Sequence, residues 1–238
     1  KTLNTVDLMI ENHPIGKYNK KVEKNYNFNN IKAEFICLSN DFENSHEIKR
    51  LWLFTTKCFS YDISVGFFVN EKGLLIPVHN FAFCFFQTRE TTNLNFIIQA
   101  PFLLTDSREG IRANENHNKI MIENLSKLAA KSILLLKQIG QTSDIRLIND
   151  DILNIIPTDE NIFSDINNKN KISFKPFYTE ILNVFKTNEI IPTIDGYVSK
   201  PYAFYTDSKS LIQLFSNEKI AFLSKSPKSK WVFTTSNI

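Results

Sequence analysis

The chain has 238 residues, which is enough for one large domain or two small ones. Hydrophobic residues make up 42% of it and charged residues 22%, a balance that supports a buried core and excludes global disorder. The 28 Lys and Arg residues against 25 Asp and Glu residues leave a net charge of +3, which does not by itself indicate a nucleic-acid-binding protein. Composition therefore predicts an α/β or α+β protein and leaves the function to motifs.

The cysteines predict the cellular compartment. Cys37, Cys58 and Cys84 are far apart, each lies in an apolar run, and the sequence contains no C-x-x-C pair. Isolated cysteines of this kind are typical of reduced core thiols in a cytoplasmic protein. The longest apolar stretch, 81–86, is too short to span a bilayer, and the first residues show no signal-peptide pattern. We therefore expect a cytoplasmic protein, and because the first residue is not Met we expect a piece of a longer one.

Residues 1–32 are predicted to be a polar segment that leads into the first domain. Residues 11–32 are rich in Asn and Lys, which favours a loop, and they carry a basic cluster over 17–24. A solvated surface is the ordinary interpretation of such a cluster, and a phosphate-binding patch is the alternative.

Strands are predicted to dominate from residue 33 to residue 100. Stretches rich in Phe, Val, Ile and Thr are separated by a tight turn at 70–73 and a polar loop at 87–93. The predicted strands are 33–39, 51–60, 63–70, 74–88 and 94–100. Two runs, 65–69 and 81–86, are apolar on both faces, which is typical of strands in a sheet covered on both sides or packed at an interface on one.

The apolar period then changes from strand-like to helical. Apolar residues recur at steps of three and four from Met121 to Ile139, which predicts an amphipathic helix over 116–138 that ends at Gly140. We expect this helix to pack across one face of the preceding sheet, in a domain that spans 33–150.

Residues 151–238 are predicted to form a smaller C-terminal α/β subdomain. A second helix is expected to start near Pro176, because proline suits the first turn of a helix. A strand and turn over 190–197 follow, with Asp-Gly as the turn signal, and Thr206 or Asp207 is expected to cap a third helix.

The junction between the last strand and the long helix carries the most informative residues. The stretch 100–112 reads Ala-Pro-Phe-Leu-Leu-Thr-Asp-Ser-Arg-Glu-Gly-Ile-Arg, in which Asp106 and Ser107 are candidate N-caps. If this stretch is helical, Arg108 and Arg112 share one face and form an anion site at the N-terminal end of a helix. On spacing alone, solvated or salt-bridged arginines are the ordinary interpretation.

The same junction resembles a known family. The Ser-Arg-Glu of 107–109, followed by a long amphipathic helix, looks like the middle-domain loop of heat-shock protein 90. Residues 52–102 also resemble sacsin-type bacterial ATPases of the superfamily that contains histidine kinases, DNA gyrase B and heat-shock protein 90. A weaker resemblance covers 190–196, which looks like a segment further downstream in those proteins.

The resemblance implies both a fold and a role. The fold would be the ribosomal S5 domain 2-like α/β unit, a mixed sheet with a long helix packed on one face, which follows the nucleotide-binding domain. Arg108, with Ser107 beside it, would contact the γ-phosphate of ATP that is held with Mg²⁺ in the N-terminal ATP-binding domain of the same protein. Arg112 stands where that family has Gln, so it could donate to phosphate but could not orient a water as an amide does. The chain would then be the middle, transducer domain of a chaperone-like ATPase that couples nucleotide state to an unidentified client or partner protein.

Other functions remain open on the sequence. The ATP-pocket motif of the superfamily and the G-x-x-x-x-G-K-[ST] loop do not occur, so we expect the isolated chain neither to bind ATP tightly nor to hydrolyse it. The four histidines form no H-x-x-x-H or H-E-x-x-H motif, which argues against a metal site. One alternative is a non-catalytic interaction or scaffold module in which Arg108 only forms a salt bridge. A less favoured alternative is nucleic-acid binding through the basic segments 17–24 and 225–230.

Overall fold

The computed structural model describes residues 4–10, 13–42, 45–143, 146–163 and 171–232. Within these residues the longest elements belong to one sheet and to one helix, and the C-terminal elements are shorter. The strands are β1 (Thr5–Ile10), β2 (His13–Phe28), β3 (Ile31–Phe42), β4 (Ser45–Cys58), β5 (Tyr61–Val69), β6 (Phe81–Cys84), β7 (Phe86–Thr91), β8 (Ile97–Gln99), β9 (Ile191–Thr193), β10 (Gly196–Val198), β11 (Ala203–Phe204) and β12 (Lys230–Trp231). The α-helices are α1 (Asn116–Thr142), α2 (Lys175–Thr187), α3 (Lys209–Leu214) and α4 (Asn217–Leu223).

Strands β1 to β8 form one mixed sheet in the order β1-β2-β3-β4-β5-β8-β6-β7. Neighbours from β1 to β8 pair antiparallel, whereas β6 runs parallel to β8 and antiparallel to β7. Because β8 lies between β5 and β6, the β6–β7 hairpin is at the edge of the sheet. The chain leaves the sheet from β8, an interior strand, and enters the loop that leads to α1. The predicted mixed sheet followed by a long helix is confirmed, and the S5 domain 2-like fold stays a prediction.

Helix α1 covers one face of this sheet through its predicted apolar stripe. Its buried residues, including Met121 and Leu125, join one hydrophobic cluster with buried side chains of β4 and β5. A series of aromatic contacts crosses the cluster, with ring-centroid distances of 6.2 Å from Phe54 to Phe67, 5.1 Å from Phe67 to Phe96 and 5.9 Å from Phe96 to Phe177 of α2. These rings connect β4, β5, the segment before β8 and α2 into one core.

The structure of the polar N-terminal segment differs from the sequence prediction. Residues 11–32 were expected to form a loop, but β2 occupies most of them and pairs with both β1 and β3. A bulge between Val22 and Lys24 inserts one extra residue, so it reverses which face the later side chains occupy. Tyr26 consequently lies on the helix side of the sheet, with its ring 6.0 Å from that of Trp52.

Three further expectations need correction. The segment 87–93 was predicted as a loop, yet most of it is strand β7, where Thr88 is buried and donates a 2.8 Å hydrogen bond to the Ala82 carbonyl. Gly140 was predicted to end the long helix, but α1 continues past it, because this glycine is buried within the helix. The cap of α3 is Ser208, whose hydroxyl accepts from the backbone of the first turn, and not Thr206 or Asp207.

The C-terminal elements agree better with the sequence. Helix α2 begins with a proline in its first turn, and β9 and β10 form the predicted strand and turn. Strands β11 and β12 pair parallel in a separate small sheet. Buried hydrophobic residues before and after residue 150 belong to the same cluster, and the divisions 1–32, 33–150 and 151–238 stay predictions.

Candidate functional site

The loop between β8 and α1 is a hairpin and not a helix. Its two arms are joined by a bridge between Leu104 and Ile111 and by a 3.0 Å bond from the Arg112 N–H to the Leu103 carbonyl. At the tip, the N–H of Arg108 donates to the Thr105 carbonyl at 2.8 Å. The condition under which Arg108 and Arg112 were expected to share a helical face is therefore not met.

Asn118 of α1 fixes the base of this hairpin. Its side chain is fully buried, and its Oδ1 accepts from the Leu103 N–H at 2.8 Å. Its Nδ2 donates to the carbonyls of Leu103 and Arg112 at 2.9 and 2.8 Å. One amide thus holds both arms against the first turn of α1, which satisfies backbone groups that would otherwise be buried without partners.

Strand β7 holds the other side of the hairpin. The Oε2 of Glu90 accepts from the Ile111 N–H at 3.0 Å, and the Arg89 N–H donates to the Glu109 carbonyl at 2.8 Å. The side chains of Arg89 and Glu109 form an ion pair at 2.9 Å, so this glutamate is engaged by β7. A side chain at Gly110 would meet Glu90 Oε2 at 3.3 Å, which shows how closely the two segments approach.

The predicted site residues have different environments on this loop. Arg108 is exposed, with a backbone φ of 59°, and its guanidinium has no hydrogen-bond or ion-pair partner among the described residues. A positive φ is uncommon for a residue with a side chain and is found where the surrounding structure holds it in place. Arg112 instead pairs with Asp106 at 2.7 Å and donates through Nε to the Leu104 carbonyl at 2.8 Å. The structure therefore separates the two arginines: within the described residues Arg108 has no partner at the tip, and Arg112 braces the loop.

Ser107 and Asp106 do not cap a helix. The residue that precedes α1 is Glu115, whose side chain makes no capping hydrogen bond. The Ser107 hydroxyl lies 3.1 Å from that of Thr105 and accepts weakly from the Glu109 N–H at 3.4 Å. Both predicted caps act within the tip of the hairpin, because the chain turns back there before the helix begins.

A cleft of about 860 Å³, lined by both apolar and polar side chains, borders Arg108. Its walls include the turn between β6 and β7, where Phe85 and Phe86 are 77% and 85% exposed, and Leu103 of the hairpin, which is 45% exposed. The expectation that 81–86 lies in a sheet covered on both sides is wrong at its end, because these two rings are exposed at the edge hairpin, and the alternative of packing at an interface stays a prediction. Phe85 has a φ of 62°, so the turn that presents it is also a strained one.

Cys84 connects the aromatic turn to the loop. Its Sγ lies 3.3 Å from the Phe102 carbonyl, to which the thiol donates. Burial raises the pKa of the Cys84 thiol, and the hydrogen bond to Phe102 lowers it by less. The Cys84 thiol is therefore a neutral donor at pH 7, and its hydrogen bond connects the turn at Phe85 and Phe86 to the segment that leads to Arg108.

The arrangement suits binding of an anion that another molecule presents. A guanidinium offers planar, permanently charged N–H donors that match phosphate or carboxylate oxygens. The loop that carries it is held by Asn118 and Glu90, so its position is set before any ligand arrives. Sequence reasoning missed both holding residues, although Asn118 falls on the apolar stripe of α1, where a polar side chain must find partners.

The described part of the chain has neither a metal-binding cluster nor a membrane-spanning helix. No group of three or more His, Cys, Asp or Glu side chains there could hold a metal ion. No helix in that part combines the length and apolarity needed to cross a membrane. Comparison of the chain with protein-family models, with curated protein sequences and with solved structures finds no match.

Proposed function

We propose that this chain is the middle, transducer domain of a multidomain ATPase of the heat-shock protein 90 and DNA gyrase B type, resembling the sacsin-like bacterial proteins. Arg108 supplies a positive charge to the γ-phosphate of ATP in the neighbouring N-terminal ATP-binding domain. The observation that carries the proposal is the exposed Arg108 guanidinium, which has no partner among the described residues and stands at the tip of a hairpin held from two sides. A merely structural arginine would be expected to pair with one of the nearby glutamates.

The chemistry needs only positioning and charge from this chain. Water attacks the γ-phosphorus, the bond from that phosphorus to the oxygen bridging the β- and γ-phosphates breaks, and ADP and inorganic phosphate form. Charge on the transferring group grows in the transition state, and Arg108 stabilises it as an arginine finger does. ATP and its Mg²⁺ belong to the neighbouring domain, where the metal neutralises phosphate charge.

Arg112 and Ser107 take supporting roles in this proposal. Arg112 uses Nε and one Nη group to hold the Arg108 loop, and its remaining N–H groups have no partner among the described residues. The Ser107 hydroxyl belongs to the residue before Arg108 in the tip and could share the phosphate. Hydrolysis then depends on docking of the two domains, because neither carries the complete site.

The test is substitution of Arg108 in the protein that contains both domains. We expect Arg108→Ala to lower the ATP turnover rate by about 100-fold or more and to leave nucleotide affinity nearly unchanged, because the lost contact acts mainly in the transition state. Arg108→Lys should recover only part of the rate, since an ammonium lacks the planar fork of donors. Lys72→Ala removes an exposed charge from the turn at 70–73 and should leave turnover unchanged. Unchanged turnover in Arg108→Ala would end the proposal.

A second candidate is a non-catalytic interaction or scaffold module. The exposure of Phe85 and Phe86 favours it, because two adjacent exposed rings suit contact with another protein. In that case Arg108→Ala would weaken partner binding, and Phe86→Ala would weaken it more, while turnover stayed constant. An ATPase assay of the isolated chain does not distinguish the two candidate functions, because both predict that it does not hydrolyse ATP.

A further inference from the structure

The sheet has a second apolar face, on the side away from α1. The pairing register places the alternate residues of six neighbouring strands, β2, β3, β4, β5, β8 and β6, on this side. We define the second face by its apolar residues, which are Val22, Ile36, Leu38, Leu51, Leu53, Phe68, Phe81, Phe83 and Ile97. A sheet with one face packed on the core and the other in water would carry polar residues at these positions.

None of these nine residues belongs to the hydrophobic cluster that α1 and α2 cover. Val22 is 42% exposed and Leu38 36% exposed, and most of the others are half-buried. Ile36 and Leu51 are buried, although they too lie outside that cluster. At the centre, a Cβ on Gly66 would meet Leu51 Cδ1 at 3.1 Å, so the side chains of this face close over the glycine. The second face is therefore packed within itself and has no helix of the described residues on top of it.

Its size matches a protein interface. Six strands at a spacing of about 4.8 Å make the face about 24 Å wide, and the nine residues from Lys32 to Asn40, eight steps of about 3.4 Å, make it about 27 Å long at β3. Because β8 and β6 have only 3 and 4 residues, the footprint is about 500 Å², so two copies would bury about 1,000 Å² together, which is the lower end for a biological interface. Val22 and Leu38 are exposed and most of the other residues are half-buried, so part of this apolar area is left open on a monomer.

The charges of this face are neutralised within the same chain. At one end of the apolar band Lys32 pairs with Glu34 at 2.7 Å, and at the other end Lys49 pairs with Glu47 at 3.0 Å. The register places all four residues on the second face. The apolar band therefore has a rim whose positive and negative side chains pair with each other, and Lys20 adds one further positive charge to this rim. A strongly acidic or basic partner would find little to pair with, whereas a second copy meets a face that is neutral apart from Lys20 at its rim.

We propose that two copies of this chain associate through their second faces, sheet against sheet. A two-fold axis brings the same patch of both copies together, and two twisted sheets pack with their side chains interdigitated. Both chains then cover the apolar band that each leaves exposed alone. The charged pairs at its ends remain at the rim of the contact.

Sedimentation velocity over the micromolar concentration range tests the proposal, with Leu38→Glu as the variant and Ile48→Glu as its matched control. Leu38 and Ile48 are similarly exposed aliphatic residues on neighbouring strands, 36% and 44%, but they lie on opposite faces. In a monomer, the new glutamate at 38 would face Lys49 across the strands, so the fold should be retained. In the dimer it would be buried on both sides of the interface, and we expect the dissociation constant to rise by about 100-fold.

Circular dichroism of both variants checks that each retains the fold. The proposal requires a dimeric wild type, a dissociation constant raised in Leu38→Glu and one unchanged in Ile48→Glu. A wild type that stays monomeric throughout the range would overturn it and would leave the face to a different partner. Equal dimerisation of all three proteins would also overturn it, because the interface would then lie elsewhere. Should Leu38→Glu unfold, Val22→Glu on the same face provides the second variant.

Discussion

Replacing Asn118 by Ala tests whether one buried amide holds the loop that carries Arg108. The substitution removes three hydrogen bonds, to the N–H and C=O of Leu103 and to the C=O of Arg112. The Leu103 carbonyl keeps the bond from the Arg112 N–H, but the Leu103 N–H and the Arg112 carbonyl lose their partner. At about 1 kcal/mol for each bond, the free energy of unfolding should fall by about 3 kcal/mol. For a chain of this length, that loss corresponds to a decrease in Tm of about 6–12 °C.

Urea unfolding followed by tryptophan fluorescence measures the change in stability, and limited trypsin digestion reports on the loop. Cleavage after Arg108 should become faster in Asn118→Ala, because the base of the hairpin opens more often. Asn124→Ala is the matched control, since Asn124 lies on the same helix and its one side-chain hydrogen bond among the described residues goes to the Ile120 carbonyl of that helix. We expect the control to change stability by no more than about 0.5 kcal/mol. A loss below about 1 kcal/mol in Asn118→Ala, with unchanged cleavage, would refute the assigned role.

Two further predictions concern packing and pH. Gly66→Ala places a Cβ 3.1 Å from Leu51 Cδ1 and 3.4 Å from Ile97 Cβ. Because this crowding forces the neighbouring side chains to move, the free energy of unfolding should fall by about 1–2 kcal/mol. An unchanged urea midpoint would contradict this expectation. The hydrogen bond from Lys230, at 3.0 Å, holds the pKa of Asp195 below its ordinary value. The carboxylate therefore adds stability above its unfolded pKa, and this contribution is lost as pH falls through the lower folded pKa. Urea midpoints from about pH 7 to about pH 3 should show a shallower acid dependence for Asp195→Asn than for the wild type, and parallel curves would exclude the effect.

Local pattern was sufficient for the elements whose apolar residues form long, clearly bounded stretches or recur at helical spacing. The β3–β5 strands, α1 and α2 were predicted because stretches rich in β-branched and aromatic residues between turn signals, and apolar residues at helical spacing, are local patterns. The polar strand β2 was missed because Lys and Asn on its exposed sides resemble a loop. Its bulge at Val22 also breaks the alternation that would have revealed it.

The residues that hold the candidate site could be predicted only in part. Arg108 was singled out from its place between strand and helix, but its separation from Arg112 follows from the chain turning back at 105–110. That turn is decided by contacts from two distant elements, Asn118 of α1 and Glu90 of β7.

The sequence by itself determined the strand-rich region, the long helix that packs on it and the loop that carries Arg108, because these depend on short-range patterns of apolar and charged residues. Tertiary structure alone decided which of the two arginines finds a partner among the described residues and which apolar strand residues stay outside the core. Both outcomes depend on hydrogen bonds and strand neighbours that are remote along the chain, as in the pairing of β8 between β5 and β6. The local sequence of a strand does not specify which other strand it pairs with, so these neighbours are known only from the folded chain.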